Sequence, residues 1–183
     1  SVYFLAWTTT PWTLSSNTAL AVGADIKYLK VKTFNPYSGN KVTVIIASDR
    51  FNIYFPDKNA ESKPYEFIQG DRVIPYRIIG EYSGKELTGI QYEQLLKWVD
   101  PGENAFRVIT GDFVTTEDGT GIVHIAPTFG ADDLKAAREN NISPLTVLDR
   151  EGMICPLVDR LGRYMLIEEM DPEFVKLNVN TEL

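Results

Sequence analysis

Hydroxyl groups and indole rings are concentrated near the start of the chain, in the stretch from Trp7 to Asn17, WTTTPWTLSSN. The apolar residues from Val2 to Ala6 precede it, and their length and aromatic content predict a buried strand. Because Pro11 lacks a backbone N–H and favours an extended Thr10, we predict that this strand ends in a hydroxyl-rich turn. Short donors and acceptors beside indole rings are suited to binding a small polar ligand. An ordinary strand-to-turn junction would explain the same residues.

A second group of polar residues surrounds a predicted strand-to-helix junction. The strand is predicted over Ile122 to Ala126 and the helix over Ala131 to Asn140. Asp132 and Asp133 would lie in the first turn of the helix, where a carboxylate contributes ~0.3–1 kcal/mol through the helix dipole. His124 alternates with apolar neighbours and therefore faces the other side of the strand. A hydrogen-bonded structural histidine and a functional one are both compatible with this position.

The composition limits the kinds of protein and site that the chain can form. With 183 residues, of which 44% are apolar and 11% aromatic, we expect one globular domain covering residues 1–183. The formal net charge of −7 argues against nonspecific binding of nucleic acid. Since Cys155 is the only cysteine and His124 the only histidine, an internal disulfide and a metal site built from several such residues are excluded. A site made of carboxylates alone stays open, although no spaced motif supports it.

The sequence also contains no obvious membrane or export signal. No apolar run approaches the roughly 18 residues of a membrane helix, and the stretch from Val2 to Trp7 lacks the basic flank of a signal peptide. We therefore expect a soluble, cytoplasmic protein. Because the chain begins at Ser1, already inside a predicted strand, we also expect a domain taken from a longer protein.

Short strands separated by turn signals predict an α+β domain, with a barrel-like, mostly antiparallel β-sheet and a few flanking helices. The stretch from Tyr28 to Thr33 alternates apolar and polar residues, and with Val42 to Ala47 it predicts a hairpin across a turn at 35–40. A helix capped by Ser48 is predicted through Tyr54. The other predicted elements are strands over 19–22, 74–82, 85–90, 105–110 and 112–115, a surface loop over 57–64, a helix over 91–99, and short strands after residue 142.

Two blocks of the sequence closely resemble the editing (CP1) domain of class I isoleucyl-tRNA synthetases. They are the stretch from Trp7 to Asn17 and the stretch GTGIVHIAPTFGADD from Gly119 to Asp133, in the order and at the separation typical of that family. The resemblance spans essentially the whole chain. It implies an editing domain inserted in a larger synthetase, which hydrolyses mischarged valyl-tRNA(Ile), with valyl-adenylate as a second candidate substrate. The expected partners are the 3′ end of tRNA(Ile) carrying valine and the remainder of the synthetase. The isolated domain is expected to be monomeric and not to bind membranes.

The resemblance also implies roles for individual residues. Asp133 matches the acidic residue that anchors the α-ammonium of the misattached amino acid, whereas Asp132 matches a variable position. A carboxylate suits this task because its hydrogen bonds to an ammonium are charge-assisted. His124, together with Trp12, would line the pocket for the amino-acid side chain and leave room for valine but not for isoleucine. The residues implied to contact the ester, the terminal adenosine or the attacking water are Thr8, Thr9, Thr10 and Asn17, with Trp7 as a further substrate-binding residue.

The implied reaction relies on neutral side chains. Hydroxyl and amide groups can orient a water molecule and stabilise an oxyanion without being strong bases. The resemblance therefore implies that water attacks the aminoacyl ester, helped by the ribose hydroxyl of the substrate, with no protein nucleophile, metal or cofactor. ATP would be used only by the absent synthetic domain. The need for such a second site is well known for isoleucyl-tRNA synthetase, where one methylene gives only roughly 150-fold discrimination of isoleucine over valine.

Some positions separate this chain from related enzymes and from the usual family pattern. Leucyl and valyl enzymes typically carry arginine at the position of Thr10. Ser15 stands where the family usually has proline, and this change is expected to loosen the turn that holds Asn17. The chain has neither a His-x-Gly-His signature nor a Lys-Met-Ser-Lys-Ser-like loop, so we expect no amino-acid activation or tRNA charging.

Two other kinds of function are compatible with these residues. The domain could bind the acylated 3′ end of tRNA without hydrolysing it and depend on the rest of a synthetase for turnover. Alternatively, an unrelated esterase could use a serine or Cys155 as nucleophile and His124 as base. The G-x-S-x-G motif of many such hydrolases is absent from the sequence.

Overall fold

The computed structural model describes residues 1–61 and 63–182, except for the side chain of Asn59. It contains strands and helices in irregular alternation, which confirms the predicted α+β class. In chain order the strands are β1 (Val2–Phe4), β2 (Ala19–Val22), β3 (Lys27–Phe34), β4 (Lys41–Ala47), β5 (Arg77–Ser83), β6 (Arg107–Thr110), β7 (Ile122–Ile125), β8 (Thr146–Leu148) and β9 (Ile154–Pro156). The α-helices are α1 (Ser48–Tyr54), α2 (Gly84–Leu87), α3 (Ala131–Glu139) and α4 (Pro172–Asn178), and short 3-10 helices span Pro11–Ser16, Lys58–Glu61 and Ile167–Glu169.

The chain divides into two compact units, each made of several segments. The first unit comprises Ser1–Trp7, Val22–Thr88 and Thr110–Val123, and the second comprises the remaining described residues. The prediction of a single editing domain over residues 1–183 is untested by this division and stays a prediction. Among the described residues, no helix is long and apolar enough to cross a membrane.

The first unit is built on a four-stranded sheet of order β1-β4-β3-β5. The predicted hairpin is confirmed, because β3 pairs antiparallel with β4 across the turn at 35–40. Along β3, Leu29 and Val31 are buried whereas Lys32 is exposed, as the alternating sequence predicts. The core of this unit consists of Leu29, Val31, Val44, Ile46, Phe51, Ala60 and Tyr76. This sheet, with one parallel and two antiparallel pairings, is mostly antiparallel, as predicted.

The second unit contains most of a three-stranded sheet of order β6-β2-β7 and the hairpin of β8 and β9. The strand order of each described sheet is open, so none of the sheets is itself a closed barrel. Strand β7 and helix α3 lie where the sequence predicts them, and the acidic residues of α3 are in its first turn with Arg138 in its last. A separate core of Val99, Leu145, Val147, Leu157 and Met170 lies in this unit.

Several local predictions were wrong, and the reasons are visible in the hydrogen bonds. The predicted buried strand from Val2 to Ala6 is shorter, and Val2 and Tyr3 are about half exposed at 48% and 52%. The predicted strand over 85–90 is instead helix α2, because Ser83 and Glu86 form a reciprocal capping box at its start. Ser48 is the first helical residue of α1 and not its cap, which is Ala47.

The predicted helix over 91–99 was also wrong, because tertiary pairing overrides its helical pattern. Gln91 forms a bridge with Arg107, and the backbone N–H of Tyr92 donates to the carbonyl oxygen of Phe106. The predicted strand over 112–115 is a turn, and α4 was not predicted. Within the predicted loop over 57–64 there is a 3-10 helix, and Ser62 lies outside the described residues.

Candidate active site

The turn at 8–17 has the break that the sequence predicts at Pro11. The backbone N–H of Thr10 donates to the hydroxyl of Thr8 at 3.0 Å, which closes a short turn. Pro11 then begins the 3-10 helix Pro11–Ser16, a position where its missing N–H costs no helical hydrogen bond. The hydroxyl of Thr13 donates to the carbonyl oxygen of Thr10 at 2.8 Å. These bonds orient several hydroxyls of the turn in a defined way.

The hydroxyls of this turn meet the imidazole of His124. Nε2 of His124 lies 3.1 Å from the hydroxyl oxygen of Thr8 and 3.3 Å from that of Thr13. The hydroxyl oxygen of Thr10 lies 3.2 Å from that of Thr13 and 3.4 Å from that of Thr8. We call Thr8, Thr10, Thr13 and His124 the threonine–histidine cluster. All four residues belong to the second compact unit.

The hydrogen bonds of the cluster favour one of the two neutral tautomers of His124. Because Thr13 already donates its only hydroxyl proton to a carbonyl oxygen, its oxygen can only accept from Nε2 of His124. We therefore assign the neutral tautomer with the proton on Nε2. Nδ1 is then an acceptor, and it is buried without a hydrogen-bond partner among the described residues.

Burial keeps His124 neutral. The residue is 8% exposed, and desolvation lowers the pKa of its imidazole, partly opposed by the negative charge of Asp133, which raises it. A neutral imidazole whose Nε2 is protonated cannot act as a base toward Thr8 or Thr13. The cluster therefore has the geometry for orienting a polar group and not for activating a protein nucleophile.

Asp133 lies at the start of α3. One of its carboxylate oxygens accepts a hydrogen bond from the protein, and the other accepts none from the described residues. Its Oδ2 accepts the backbone N–H of Ala126 at 2.9 Å, which holds the side chain toward the end of β7. No described residue donates a hydrogen bond to Oδ1, which is therefore open to a ligand cation. The absence of a side chain at Gly130 leaves room for the carboxylate of Asp133, because an added Cβ at Gly130 would lie only 3.0 Å from Cγ of Asp133. Asp132, in contrast, is exposed.

A cavity of about 490 Å³ brings these residues together within the second unit. This volume lies in the range typical of small-molecule sites. Its lining combines hydroxyls, aromatic and apolar side chains, one carboxylate and one guanidinium. The lining residues are Thr10, Trp12, Thr13, His124, Ala126, Thr128, Phe129, Gly130, Asp133, Pro156, Val158 and Arg160. The hydroxyl of Thr128 is buried and, like Nδ1 of His124, has no partner among the described residues.

Four of the predicted site residues line this cavity: Thr10, Trp12, His124 and Asp133. Thr8 is joined to it through His124. Thr9 is exposed and is not among the lining residues. Trp7 belongs to the first compact unit, where it is 50% exposed and bridges to Val123.

Asn17 is buried and uses its side chain within the protein. Its amide nitrogen donates to the carbonyl oxygens of Ala19 at 2.7 Å and Ile125 at 3.4 Å. Its amide oxygen accepts the phenol of Tyr92 at 2.6 Å, and burial raises the pKa of that phenol. Asn17 therefore connects the threonine turn to the strand that carries His124, and it does not line the cavity.

Ser15, expected from the sequence to loosen the turn, is buried and forms a hydrogen bond within it. It is 3% exposed, and its hydroxyl donates to the carbonyl oxygen of Trp12 at 3.1 Å. The backbone N–H of Asn17 donates to the carbonyl oxygen of Leu14 at 3.2 Å. These two hydrogen bonds close the turn at the position where the family usually has proline.

The strand that carries His124 is preceded by a turn that requires glycine. Gly121 has φ of +74°, and an added Cβ would lie 2.4 Å from Cβ of Ala47. Its carbonyl oxygen accepts the phenol of Tyr28 at 2.7 Å, and burial raises the pKa of Tyr28 to about 12. Nε of Arg50 donates to the carbonyl oxygen of Gly119 at 2.8 Å. All of these contacts lie in the first compact unit.

Sequence reasoning missed several residues of the cavity. Thr13 could have been found, because it follows Thr10 by three positions across a proline, the spacing of a helical turn. Thr128 and Phe129 lie inside the second recognised block but carry no chemical signal of their own. Arg160 lies 27 positions beyond Asp133 in a segment predicted only as short strands and turns. Its place at the cavity results from tertiary structure alone.

The alternative of a serine or cysteine esterase finds no support in this arrangement. The cavity-lining residues include neither serine nor cysteine. The thiol of Cys155 donates to the carbonyl oxygen of Val147 at 3.7 Å, and burial raises its pKa, which disfavours the reactive thiolate. Within the described residues, no group of three or more His, Cys, Asp or Glu side chains is arranged to hold a metal ion.

Comparison with known proteins gives consistent results for sequence and fold. The sequence is 52% identical to isoleucine–tRNA ligase of Bacteroides fragilis and 53% identical to that of Porphyromonas gingivalis, over 99% of this chain in each case. The chain spans only 16% of the length of each of these relatives. No protein-family model matches the sequence.

The fold is similar to solved editing domains of another synthetase. The crystal structure of GlLeuRS-CP1 matches with a TM-score of 0.53 and 22% identity, over 75% of this chain and 43% of that one. The editing domain of the cytosolic leucyl-tRNA synthetase of P. knowlesi matches with a TM-score of 0.52 and 18% identity, over 75% of this chain and 51% of that one. At these identities the similarity concerns the fold.

Proposed function

Because the chain belongs to the editing (CP1) segment of class I isoleucyl-tRNA synthetases, we propose that it hydrolyses valine misattached to tRNA(Ile), with valyl-adenylate as a second substrate. The observation that carries this proposal is the cavity in which the free Oδ1 of Asp133, the hydroxyl of Thr10 and the neutral imidazole of His124 converge. Such a site offers an anion for the ammonium of an amino acid and neutral groups around its ester.

Asp133 is proposed to bind the α-ammonium of the amino acid. Its Oδ2 is held by the N–H of Ala126, so Oδ1 can form a charge-assisted hydrogen bond without reorganising the carboxylate. Because every amino acid carries the same ammonium, this contact supplies binding and orientation. Selectivity must come from the walls that surround the side chain.

His124 and Trp12 are proposed to form the selective wall. His124 is 8% exposed, and its ring is anchored through Nε2 by two hydroxyls, so it cannot easily move aside for a larger side chain. Trp12 is 40% exposed at the edge of the same cavity. A wall of this kind excludes the extra methylene of isoleucine by steric overlap, which costs more than a missing contact.

The proposed reaction is attack by water on the ester carbonyl. The new bond joins the water oxygen to the carbonyl carbon, and the bond between that carbon and the ribose oxygen breaks. The proton from water reaches the departing ribose oxygen through the neighbouring ribose hydroxyl, which leaves free valine and tRNA. Thr10, with Thr8 behind it, is proposed to orient the water, and most of the rate enhancement comes from positioning.

This mechanism uses no metal ion and no cofactor. We expect hydrolysis by the chain to be unaffected by dialysis against a strong chelator. Loss of activity after chelation, with recovery on addition of one divalent cation, would replace the proposed water attack by a metal-assisted one.

The proposal is tested by deacylation of valyl-tRNA(Ile) and isoleucyl-tRNA(Ile) by the 183-residue chain and by the full synthetase. We expect selective loss of valine. The informative variant is Asp133→Asn, whose amide oxygen can still accept the N–H of Ala126 while the charge is removed. It should reduce kcat/KM about ten- to hundredfold, the effect of a lost hydrogen bond to a charged group.

Asp132→Asn is the matched control. Asp132 is the exposed neighbour of Asp133 on the same helix, and its substitution changes the net charge by the same amount. Equal effects of the two variants would reject the anchoring role of Asp133. Tight binding of the acylated 3′ end without any hydrolysis, even of a small valyl-adenosine ester and even in the full synthetase, would favour the non-catalytic binding module.

A further inference from the structure

Arg160 is the one arginine or lysine among the described residues that line the cavity. Its side chain is exposed, and within residues 1–61 and 63–182 no hydrogen bond or ion pair engages its guanidinium. The guanidinium of this lining residue therefore has no counterion among the described residues. The proposed hydrolysis assigns no task to it.

The backbone at Arg160 belongs to a tight turn whose hydrogen bonds and ion pair involve its neighbours and not the side chain of Arg160. Oδ1 of Asp159 accepts the N–H groups of Leu161 at 2.8 Å and Arg163 at 3.0 Å. Oδ2 of Asp159 accepts Nε of Arg163 at 2.8 Å. The hydrogen bonds from Arg163 also hold the pKa of Asp159 below its ordinary value, so this carboxylate is ionised and is matched by Arg163. The guanidinium of Arg160 therefore has no carboxylate partner within this turn.

The same turn lies directly beside Trp12. The bridge between Val158 and Tyr164 closes it, and Gly162 has φ of +79°. An added Cβ at Gly162 would lie 3.5 Å from Cβ of Trp12, which is ordinary van der Waals contact. Since Trp12 and Val158 both line the cavity, the turn forms one of its edges.

The lining of the cavity thus carries two opposite charges. Asp133 suits a cation and Arg160 suits an anion, while Nδ1 of His124 and the hydroxyl of Thr128 are buried without partners among the described residues. No ion pair joins Asp133 to Arg160 in this part of the chain, so the two charges can serve different groups of one ligand. An aminoacyl nucleotide carries an ammonium at one end and a phosphate at the other.

We propose that Arg160 binds the phosphate attached to the 5′ oxygen of the terminal adenosine, while Asp133 holds the ammonium of the esterified amino acid. The inference rests on the proposed function, because it assumes that an aminoacyl nucleotide occupies the cavity. A guanidinium is well suited to this contact because its planar donors can bind two phosphate oxygens. In a chain of net charge −7, a local cation also offsets the general repulsion of an RNA end. Arg160 is a positioning residue for the substrate.

The test compares the valyl ester of adenosine with the valyl ester of cytidylyl-adenosine, which adds a phosphodiester-linked cytidine at the 5′ oxygen of the adenosine. Arg160→Gln should leave kcat/KM for the phosphate-free ester within about twofold of the wild-type value. For the dinucleotide ester we expect KM to rise about five- to twentyfold with little change in kcat, because a charge-assisted contact is lost. Arg160→Lys should restore part of the affinity, since it keeps the charge but not the planar fork.

Arg163→Gln is the matched control, because Arg163 is a neighbouring exposed arginine that is already paired with Asp159. It should not distinguish the two substrates. The decrease of kcat/KM for the dinucleotide with rising salt concentration should become shallower in Arg160→Gln, because the contact between the guanidinium and the phosphate is lost. Equal losses on both substrates, or no loss on either, would overturn the proposal.

A binding experiment separates this inference from the proposed hydrolysis. If neither the wild-type chain nor the full synthetase cuts either ester, the hydrolytic function fails, and the affinities of cytidylyl-adenosine and adenosine still test Arg160. The dinucleotide should bind more tightly than the nucleoside in the wild-type chain but not in Arg160→Gln. Free valine should compete equally well in both proteins. Weaker competition by valine in the variant would assign Arg160 to the amino-acid carboxylate and overturn the phosphate contact.

Discussion

The hydroxyl oxygen of Thr13 lies 3.3 Å from Nε2 of His124, although the two residues are 111 positions apart in the chain. Because Thr13 donates its own proton to the carbonyl oxygen of Thr10, this contact favours a proton on Nε2. A local turn thereby favours one tautomer of a residue on a distant strand. The consequence is a neutral imidazole whose Nδ1 is a buried acceptor without a partner among the described residues.

The single histidine makes this assignment measurable by NMR. We expect the pKa of His124 to lie below the ordinary value of 6.5, because burial disfavours the imidazolium, and the ring to be protonated on Nε2 at neutral pH. Asp133→Asn should lower the pKa further, since the carboxylate is the group that raises it. Asp132→Asn serves as the control. A pKa above 6.5, or protonation on Nδ1, would contradict the assignment.

The same shift predicts how stability depends on pH. Since the pKa of His124 is lower in the folded chain, the unfolded chain takes up a proton first as the pH falls below about 6.5. The free energy of unfolding should therefore decrease through that window and on toward the folded pKa. His124→Gln should remove this component, which can be measured by denaturant unfolding at a series of pH values. An unchanged pH profile in the variant would assign the dependence to other groups.

His124→Ala should relax the selectivity of hydrolysis. Removal of the ring enlarges the proposed side-chain pocket, so isoleucyl-tRNA(Ile) should be deacylated while valyl-tRNA(Ile) remains a substrate. The ratio of kcat/KM for the two esters is the quantity to measure. If the ratio is unchanged in a folded variant, the selective wall lies elsewhere in the cavity.

Thr9 and Thr10 are adjacent in sequence but differ in position. Thr10 lines the cavity and belongs to the threonine–histidine cluster, whereas Thr9 is exposed. Thr10→Val should therefore reduce kcat on the order of ten- to hundredfold through loss of water positioning, and Thr9→Val should cause a much smaller loss. The reverse order would mean that the substrate approaches from the side on which Thr9 is exposed.

Asn17 and Tyr92 should be coupled in stability. Asn17→Ala leaves the buried phenol of Tyr92 without its partner at 2.6 Å, so we expect a loss of about 1–3 kcal/mol in the free energy of unfolding. Tyr92→Phe should cost less than Asn17→Ala, because Asn17 keeps its bonds to two carbonyl oxygens. A double-mutant cycle measures the coupling. Additive effects would show that the hydrogen bond contributes nothing measurable.

The ribose of the substrate provides a further test of the mechanism. If the neighbouring hydroxyl relays the proton to the departing oxygen, a valyl-tRNA(Ile) that ends in deoxyadenosine should be hydrolysed poorly. The comparison is made at saturating substrate so that binding differences do not contribute. Equal rates on the two substrates would require a proton relay through the protein.

Much of the local structure could be predicted from the sequence because it depends on near neighbours. The alternation of β3 and the helix signals of α3 are local patterns, as are the proline break at the threonine turn and the runs that became β2 and β7. The two recognised blocks also allowed the family to be identified, and the comparisons confirm it.

Local signals were insufficient where distant pairing competes with them. The stretch 91–99 has helical spacing but pairs through Gln91 and Tyr92 with residues near 106, because long-range hydrogen bonds outweigh a weak helical preference. Asn17 has the residue type of a ligand-binding group, yet its amide is used up by Tyr92 and by backbone carbonyls. Only the fold reveals which polar groups remain free.

The sequence alone thus determined the fold class and the residue types available for chemistry, since these follow from composition and local pattern, and the resemblance of its two blocks identified the family. The tertiary structure decided which of those residues meet. It joins Thr8 to His124 across 116 positions and sets Arg160 at the edge of the cavity that contains Asp133. Distances between segments so far apart result from the packing of the whole unit, and no neighbouring residue encodes them.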